Sequence, residues 1–530
     1  MHKAIDHLVS TIVAMRTNEE REKDIKEKKD VIKVSDTVSA AASVYETVRN
    51  TLEYDDEHLL RRNAIRRILN RRLGDSDPKK LATMLIRELI WARYLPNNRI
   101  ETSAVEVVSV ILEKYKKMFA ALEEDTKHGQ EQYQWLVDVL STEIEYAIGP
   151  PCVDEALASY AYQELKQRFE WKTTFIKEED RDLQLYIAVH RSVLKSNEAT
   201  LRYRVITLYY PAWRNAKSND EVVLEVASHL KKVISSVEQQ INHPAQDSLF
   251  RFVRRHAVVF HLIADIAKDN PEAFYSAVQT NNVAVMDAAI KGAMQERYSK
   301  FRSRLNRTVI RTTFFLLLTK SILAILIEYP YEFFVLHTTD YFPLMFNILF
   351  PPFLLAIIGV SVRIPKKKNT ERVLGEIHSL MGVADDFTLT FRRQQTWGKG
   401  ALFTIFNALY FIVFSISIFL IVSILHFFKF NVFSILFFLF FLSLVAYFGL
   451  RIRNTRRDLL VIDPSGGFIG FLGDVLFLPL VRVGRWIAMR APKVNIFLFF
   501  FDFIIEAPFK AAIDVIENWL GFLKEKREEI

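Results

Sequence analysis

The sequence predicts an all-α integral membrane protein, and three observations carry that prediction. Two long apolar blocks stand out: no Lys or Arg stands between Ser321 and Val362, and Lys429 is the one formally charged residue between Ala401 and Leu450. About 20 apolar residues at roughly 1.5 Å each span the hydrocarbon of a bilayer. Gly and Pro number 16 each in 530 residues, too few for a turn-rich β protein or a disordered chain. Outside the apolar blocks, hydrophobic residues recur every three or four positions, as in Leu81, Met84, Leu85 and Leu89, or Leu183, Tyr186, Ile187, Val193 and Leu194. That is the period of one helix face, and no alternation of period two accompanies it.

Taken in order, residues 1–35 read as a charged arm, with a mixed-sign run from Arg16 to Lys33 suited to a solvated helix face. No stretch reads as a cleavable signal peptide, since Met1–Met15 is short and that charge run follows it. Residues 36–307 read as a cytoplasmic domain of amphipathic helices. Asp77-Pro78 and Asn270-Pro271 each pair a capping residue with a proline at the first helical position, and Ser218 to Glu221 has the spacing of a capping box. Gly74, Gly149-Pro150-Pro151 and Tyr210-Pro211 end helices. After Gly292 neither Gly nor Pro intervenes until Pro330, so the last helix of this domain is expected to run into the first span as one rod.

Four spans follow in two hairpins. Residues 308–362 hold spans at 312–335 and 341–362, and residues 401–450 hold spans at 402–425 and 432–450; residues 363–400 form a linker. Arg304, Arg307 and Arg311 precede the first span, Lys366, Lys367 and Lys368 follow the second, and Arg451, Arg453, Arg456 and Arg457 follow the fourth. The turn between the first two spans carries Glu328, Glu332 and Asp340 but no Lys or Arg. With four spans every basic flank falls on one side, which puts both termini in the cytoplasm. The tail, 451–530, reads as amphipathic interfacial helices, with Asp502, Glu506, Lys510, Asp514 and Glu517 making a polar stripe along a Phe-rich helix.

Few residues point to chemistry. Lys320 is the one formal charge well inside the first span, and an ionisable group there is a functional candidate. Glu328, eight residues on, reads as a poor direct partner along one helix, and Lys320 has a stem long enough to snorkel. Pro351-Pro352 is expected to distort the second span. Arg61, Arg62, Arg66, Arg67, Arg71 and Arg72 make a dense basic helix suited to a solvated, salt-bridged face or to anionic lipid or an acidic partner, with Glu53, Asp55, Asp56 and Glu57 as nearby neutralisers. No aromatic residue interleaves these arginines, so nucleic acid is disfavoured. The glycines at 467, 470 and 473 lack the lysine of a phosphate loop and suit close helix packing. His256 and His261 are five apart, the wrong spacing for a zinc helix. Asp385-Asp386 reads as a polar turn. Cys152, the single cysteine, excludes an internal disulfide and reads as a small semi-buried residue.

These readings imply no cofactor, no metal and no catalytic constellation. The expected function is a non-enzymatic scaffold that presents the helical domain to a protein partner at the bilayer, with anionic lipids at the basic flanks and a bacterial inner membrane as its location. An oligomeric channel or transporter with Lys320 and the Pro351-Pro352 kink near its path is the alternative, and a lipid-headgroup enzyme is a weaker one.

Overall fold

A computed structural model of the chain describes residues 2–24, 30–36, 59–74, 77–122, 127–173, 175–280, 282–337, 341–364, 366–382, 388–392, 401–461 and 468–490, with scattered positions in 39–46 and 512–522. The described fold is all-α apart from one pair of three-residue parallel strands, β1 (Phe169–Trp171) and β2 (Leu389–Phe391). Runs of three residues are too short to show as alternation in the sequence. Two compact units separate. One comprises 167–175 and 251–493, and the other comprises 2–166 and 176–250 together with 494–530.

The second of these, the helical unit, contains α1 (His2–Asp24), α2 (Leu60–Arg72), α3 (Pro78–Trp91), α4 (Ser103–Ala120), α5 (Lys127–Ile148), most of α6 (Cys152–Arg168), α7 (Glu178–Val193), α8 (Glu198–Tyr209), α9 (Glu221–Ser228) and α10 (Leu230–Ile241). Its helices start where local chemistry directs. The Asp77 side chain accepts the Lys80 amide, which caps α3 ahead of Pro78. The box at Ser218 does not form. Asp220 stands at the N-cap of α9, and its carboxylate accepts the Lys217 amide instead, closing a turn before the helix. The arm is not wholly solvated either, since Ile5, Leu8 and Ile12 of α1 are buried. Cys152 is exposed rather than semi-buried, because it opens α6 directly after Pro150-Pro151.

At the centre of this unit lies a buried ion pair. Glu143 of α5 binds Lys114 of α4, and accepts from the Tyr115 hydroxyl and the Trp213 indole at 2.9 Å each. Lys114 also donates to the Trp213 carbonyl at 2.9 Å and lies 4.6 Å from that ring's centroid. Every polar atom in the group thus has a partner, the condition for burying charge without a large penalty.

Nearby, His190 is buried against Tyr186, with ring centroids 4.1 Å apart. Burial first, then the Arg204 charge, holds its imidazole well below the ordinary value of 6.5. The unfolded chain therefore takes up a proton that the folded chain resists. The stability concerned is present above about 6.5 and is lost as pH falls, with a slope of up to about 1.4 kcal/mol per unit. The melting temperature of the helical unit is expected to drop between about pH 7 and pH 5, and His190→Leu is expected to flatten that drop. A variant with the wild-type profile would remove His190 as the cause.

In the other unit, the helix after α11 (Gln246–Asp269) and α12 (Pro271–Gln279) is α13 (Val283–Leu323), which continues through a π-turn (Ala324–Glu328) into α14 (Tyr329–Phe334). The 52-residue stretch Val283–Phe334 is about 78 Å long, far more than a bilayer core needs. It contains the continuous rod expected between Gly292 and Pro330 and runs on past both. Then come α15 (Tyr341–Val360), α16 (Lys366–Leu380), α17 (Ala401–Phe427), α18 (Val432–Thr455) and α19 (Phe468–Arg490). Four stretches are long and apolar enough to cross a membrane: Val283–Phe334, Tyr341–Val360, Asn407–Phe427 and Val432–Leu459. Their outward faces are apolar: Phe315 is 65 % exposed, Phe353 63 % and Phe419 75 %, which water would not tolerate over so wide a belt.

Close helix approach holds this bundle together. A Cβ at Gly484 of α19 would stand 2.0 Å from the Ser443 carbonyl oxygen of α18, and one at Gly359 of α15 would stand 2.4 Å from Val309 of α13. Small residues of this kind let backbones pack where lipid gives no hydrophobic drive. The helix α15 stays α-helical through Pro351-Pro352. At one end of the bundle Arg302 donates to the Val362 carbonyl at 3.2 Å and Arg456 to the Arg363 carbonyl at 3.1 Å. Asn369 of α16 ties the same end, donating to the Leu459 carbonyl and the Tyr298 hydroxyl and accepting the Val461 amide.

Candidate functional site

The apolar stretches enclose a polar node. Lys320 and Glu328 are each 0 % exposed, and the Lys320 ammonium lies 2.7 Å from Glu328 Oε1. This corrects the expectation that the two are poor partners. In a regular α-helix, positions eight apart stand about 80° apart around the axis (8 × about 100°, less two turns). Here the π-turn intervenes, with the Tyr329 amide bonded to the Ala324 carbonyl five residues back. More residues per turn bring Glu328 round onto the Lys320 face. Pro330 supplies the cause: its ring would collide with the carbonyl four residues earlier, and the wider turn relieves that clash. Lys320 does not snorkel. Its ammonium sits 4.4 Å from the Phe441 ring centroid and 5.1 Å from that of Phe437, both on α18.

The node extends to two further helices. Asn347 of α15, 0 % exposed, donates from Nδ2 to Glu328 Oε2 at 2.6 Å and, at 3.5 Å, to the Ser434 carbonyl of α18. Its Oδ1 is buried with no hydrogen-bond partner among the described residues. Glu332 is not in a loop, as its position after the first span suggested, but buried on α14. Its Oε1 accepts from Asn431 Nδ2 at 2.8 Å and from Ser434 Oγ at 3.2 Å. Asn431 also caps α18 by accepting the Ser434 amide. Six residues therefore form one polar ladder of two side-chain groups, Lys320–Glu328–Asn347 and Glu332–Asn431–Ser434, joined by the 3.5 Å contact from Asn347 to the Ser434 backbone carbonyl.

The other candidates fall elsewhere. The arginines of α2 are brought to acids within the helical unit. Arg61 meets Glu145 at 3.4 Å, Arg66 meets Asp138 at 2.8 Å, Arg67 meets Glu46 at 2.8 Å, and Arg71 and Arg72 meet Glu88 at 2.6 and 3.4 Å; Arg62 is buried beside Asn63. Glu53, Asp55, Asp56 and Glu57 lie outside the described residues, as do Asp385, Asp386, Gly467 and the acidic and basic stripe 502–517. Gly470 and Gly473 fall within α19. His256 pairs with Glu376 of α16 at 2.9 Å, and His378 with Asp287 at 2.7 Å. Arg304, Arg307, Arg311, Lys366, Lys367, Lys368, Arg451 and Arg457 are exposed, while Arg453 and Arg456 are half-buried.

Fold and node define an all-α protein with four helices suited to a membrane and a charged, hydrogen-bonded centre between them. No family model, no curated protein and no solved structure matches this chain.

Proposed function

We propose that this is a non-enzymatic multi-pass membrane protein that presents its helical unit as a binding platform for a protein partner. In this reading four spans form two hairpins, both termini lie in the cytoplasm of a bacterial inner membrane, and the tail lies at the interface. The observation that carries the reading is the gathering of the Arg302, Val362, Arg363 and Arg456 segments at one end of the bundle, since basic flanks mark the cytoplasmic side. Exposed Arg304, Arg307, Arg311, Lys366, Lys367 and Lys368 would face anionic headgroups there. The helical unit has its own apolar core and pairs its α2 arginines internally, which favours a protein partner over a polyanion at that helix.

A chain lacking residues 308–530 is expected to be soluble, helical and able to retain whatever partner co-purifies with the full chain. A partner retained by the full chain and lost by the truncated, folded one would move the binding surface into the membrane part.

A second reading, an oligomeric channel or transporter, is favoured by the buried Lys320–Glu328–Asn347 node, because polar groups in spans often mark ion paths. Whether protons cross the bilayer separates the two readings.

A further inference from the structure

We propose that the outer half of the span bundle is a proton-binding site, open toward the end opposite the arginine clusters and closed toward the basic end. The inference stands apart from the platform reading and uses its topology only to name the outer face.

Position along the rod comes first. From Arg311 to Lys320 is nine residues, about 14 Å, and from Lys320 to Glu332 is twelve, about 18 Å. In a hydrocarbon layer of about 30 Å, Lys320 stands near the middle and Glu332 near the far edge. The ladder joins them: Lys320 to Glu328, Glu328 to Asn347, Asn347 to Ser434, and Ser434 to Glu332. At its outer mouth the last turn of α17 exposes His426 and the turn before α18 exposes Lys429. The outer half also holds buried apolar side chains, Leu425, Phe430 and Phe438. Between Lys320 and the arginine clusters, though, the described bundle interior carries no buried charge, and Thr313 Oγ1 is a buried polar atom there without a hydrogen-bond partner among the described residues. Val309, Leu316, Leu355, Val445 and Ile452 are buried together there, and Gly359 lets α13 and α15 close on each other.

The ligand chemistry follows from the groups present. Titratable side chains facing the node come from the first spanning helix alone among the described residues: Lys320, Glu328 and Glu332. The second helix contributes Asn347 and the fourth Asn431 and Ser434, which do not titrate near neutrality. A metal cation would need several oxygen ligands. A proton needs one oxygen. Hydronium gives its proton to a carboxylate oxygen, leaving water and a carboxylic acid. The unpartnered Asn347 Oδ1 is an acceptor with no donor, the counterpart that an acid O–H or a protonated water would satisfy. Neutralising Glu328 removes the charge that holds Lys320 on the same helix, and the Asn347 bond that ties the second span to Glu328 is then no longer charge-assisted.

The test uses the full chain in proton-tight liposomes, oriented by labelling of Cys152. The readouts are the infrared carbonyl stretch of protonated carboxylic acid and a pH dye in the lumen. Acidifying the face opposite the basic clusters is expected to raise the carboxylic-acid signal several-fold more than acidifying the basic face. The Glu328→Gln, Glu332→Gln double variant is expected to lose that signal, and the dye is expected to stay constant. If the double variant does not fold, Glu332→Gln alone serves, with part of the signal lost. A signal unchanged by these substitutions, or one driven from the basic face, would overturn the site. A response to sodium at constant pH would overturn the ligand. Lumen acidification abolished by Glu328→Gln would overturn the closed inner half and favour conduction.

Discussion

Glu143→Ala is expected to destabilise the helical unit by about 3–5 kcal/mol, the cost of leaving a buried charge without its partner. The Lys114 side chain is 1 % exposed, and burial already lowers its pKa against the opposing pull of Glu143. Without that carboxylate, the Tyr115 hydroxyl and Trp213 indole also lose their acceptor. Such a loss is a large fraction of the roughly 5–15 kcal/mol that holds a typical domain. The mechanism makes a second demand. Replacing both charges, Lys114→Met with Glu143→Leu, is expected to recover part of the loss, because an apolar pair has no charge to desolvate while Tyr115 and Trp213 still lack their acceptor. Chemical denaturation of the two variants against wild type checks this; a Glu143→Ala cost under about 1 kcal/mol would show that the pair is not a keystone of the core.

Lys320→Ala is the second large effect. It leaves Glu328 buried in the bundle with Asn347 as its remaining donor. An acid without a counter-charge at the centre of a span costs about 2.5–3.5 kcal/mol. The variant is expected to melt well below wild type in detergent, and Lys320→Met combined with Glu328→Gln is expected to recover part of the difference. Arg457→Ala, an exposed flank, is expected to change stability by less than about 1 kcal/mol. Equal melting of Lys320→Ala and wild type would mean that the ion pair does not hold the bundle.

The four apolar helices were legible because charge counting over about 20 residues is a long and redundant signal. Asp77-Pro78 and Asn270-Pro271 were legible too, since a cap and its proline act within one turn and both side chains accept the expected amide. The node was only half legible. Lys320 and Glu328 stood out as charges, but their pairing depends on a π-turn that residue spacing alone does not reveal. Asn347, Asn431 and Ser434 carry no charge and pass unnoticed in an apolar average; a lone amide within the twenty apolar-rich residues of α15 was the available signal. Spacing along the chain did not reveal the acids that meet the α2 arginines among the described residues: Glu46, Glu88, Asp138 and Glu145 reach them across helix contacts from up to 84 residues away in sequence, as for Arg61 and Glu145.

The measurement that bears most directly on the whole account is accessibility from each side of the membrane. Cys152 is exposed in the helical unit, and His337 is exposed at the far end of the first span. A membrane-impermeant thiol reagent applied to sealed, right-side-out vesicles is expected to leave Cys152 untouched and to label His337→Cys in a Cys152→Ser background, with the pattern reversed in inverted vesicles. Labelling of both positions from the same face would contradict a first helix that crosses the bilayer, and with it the placement of the polar node inside lipid.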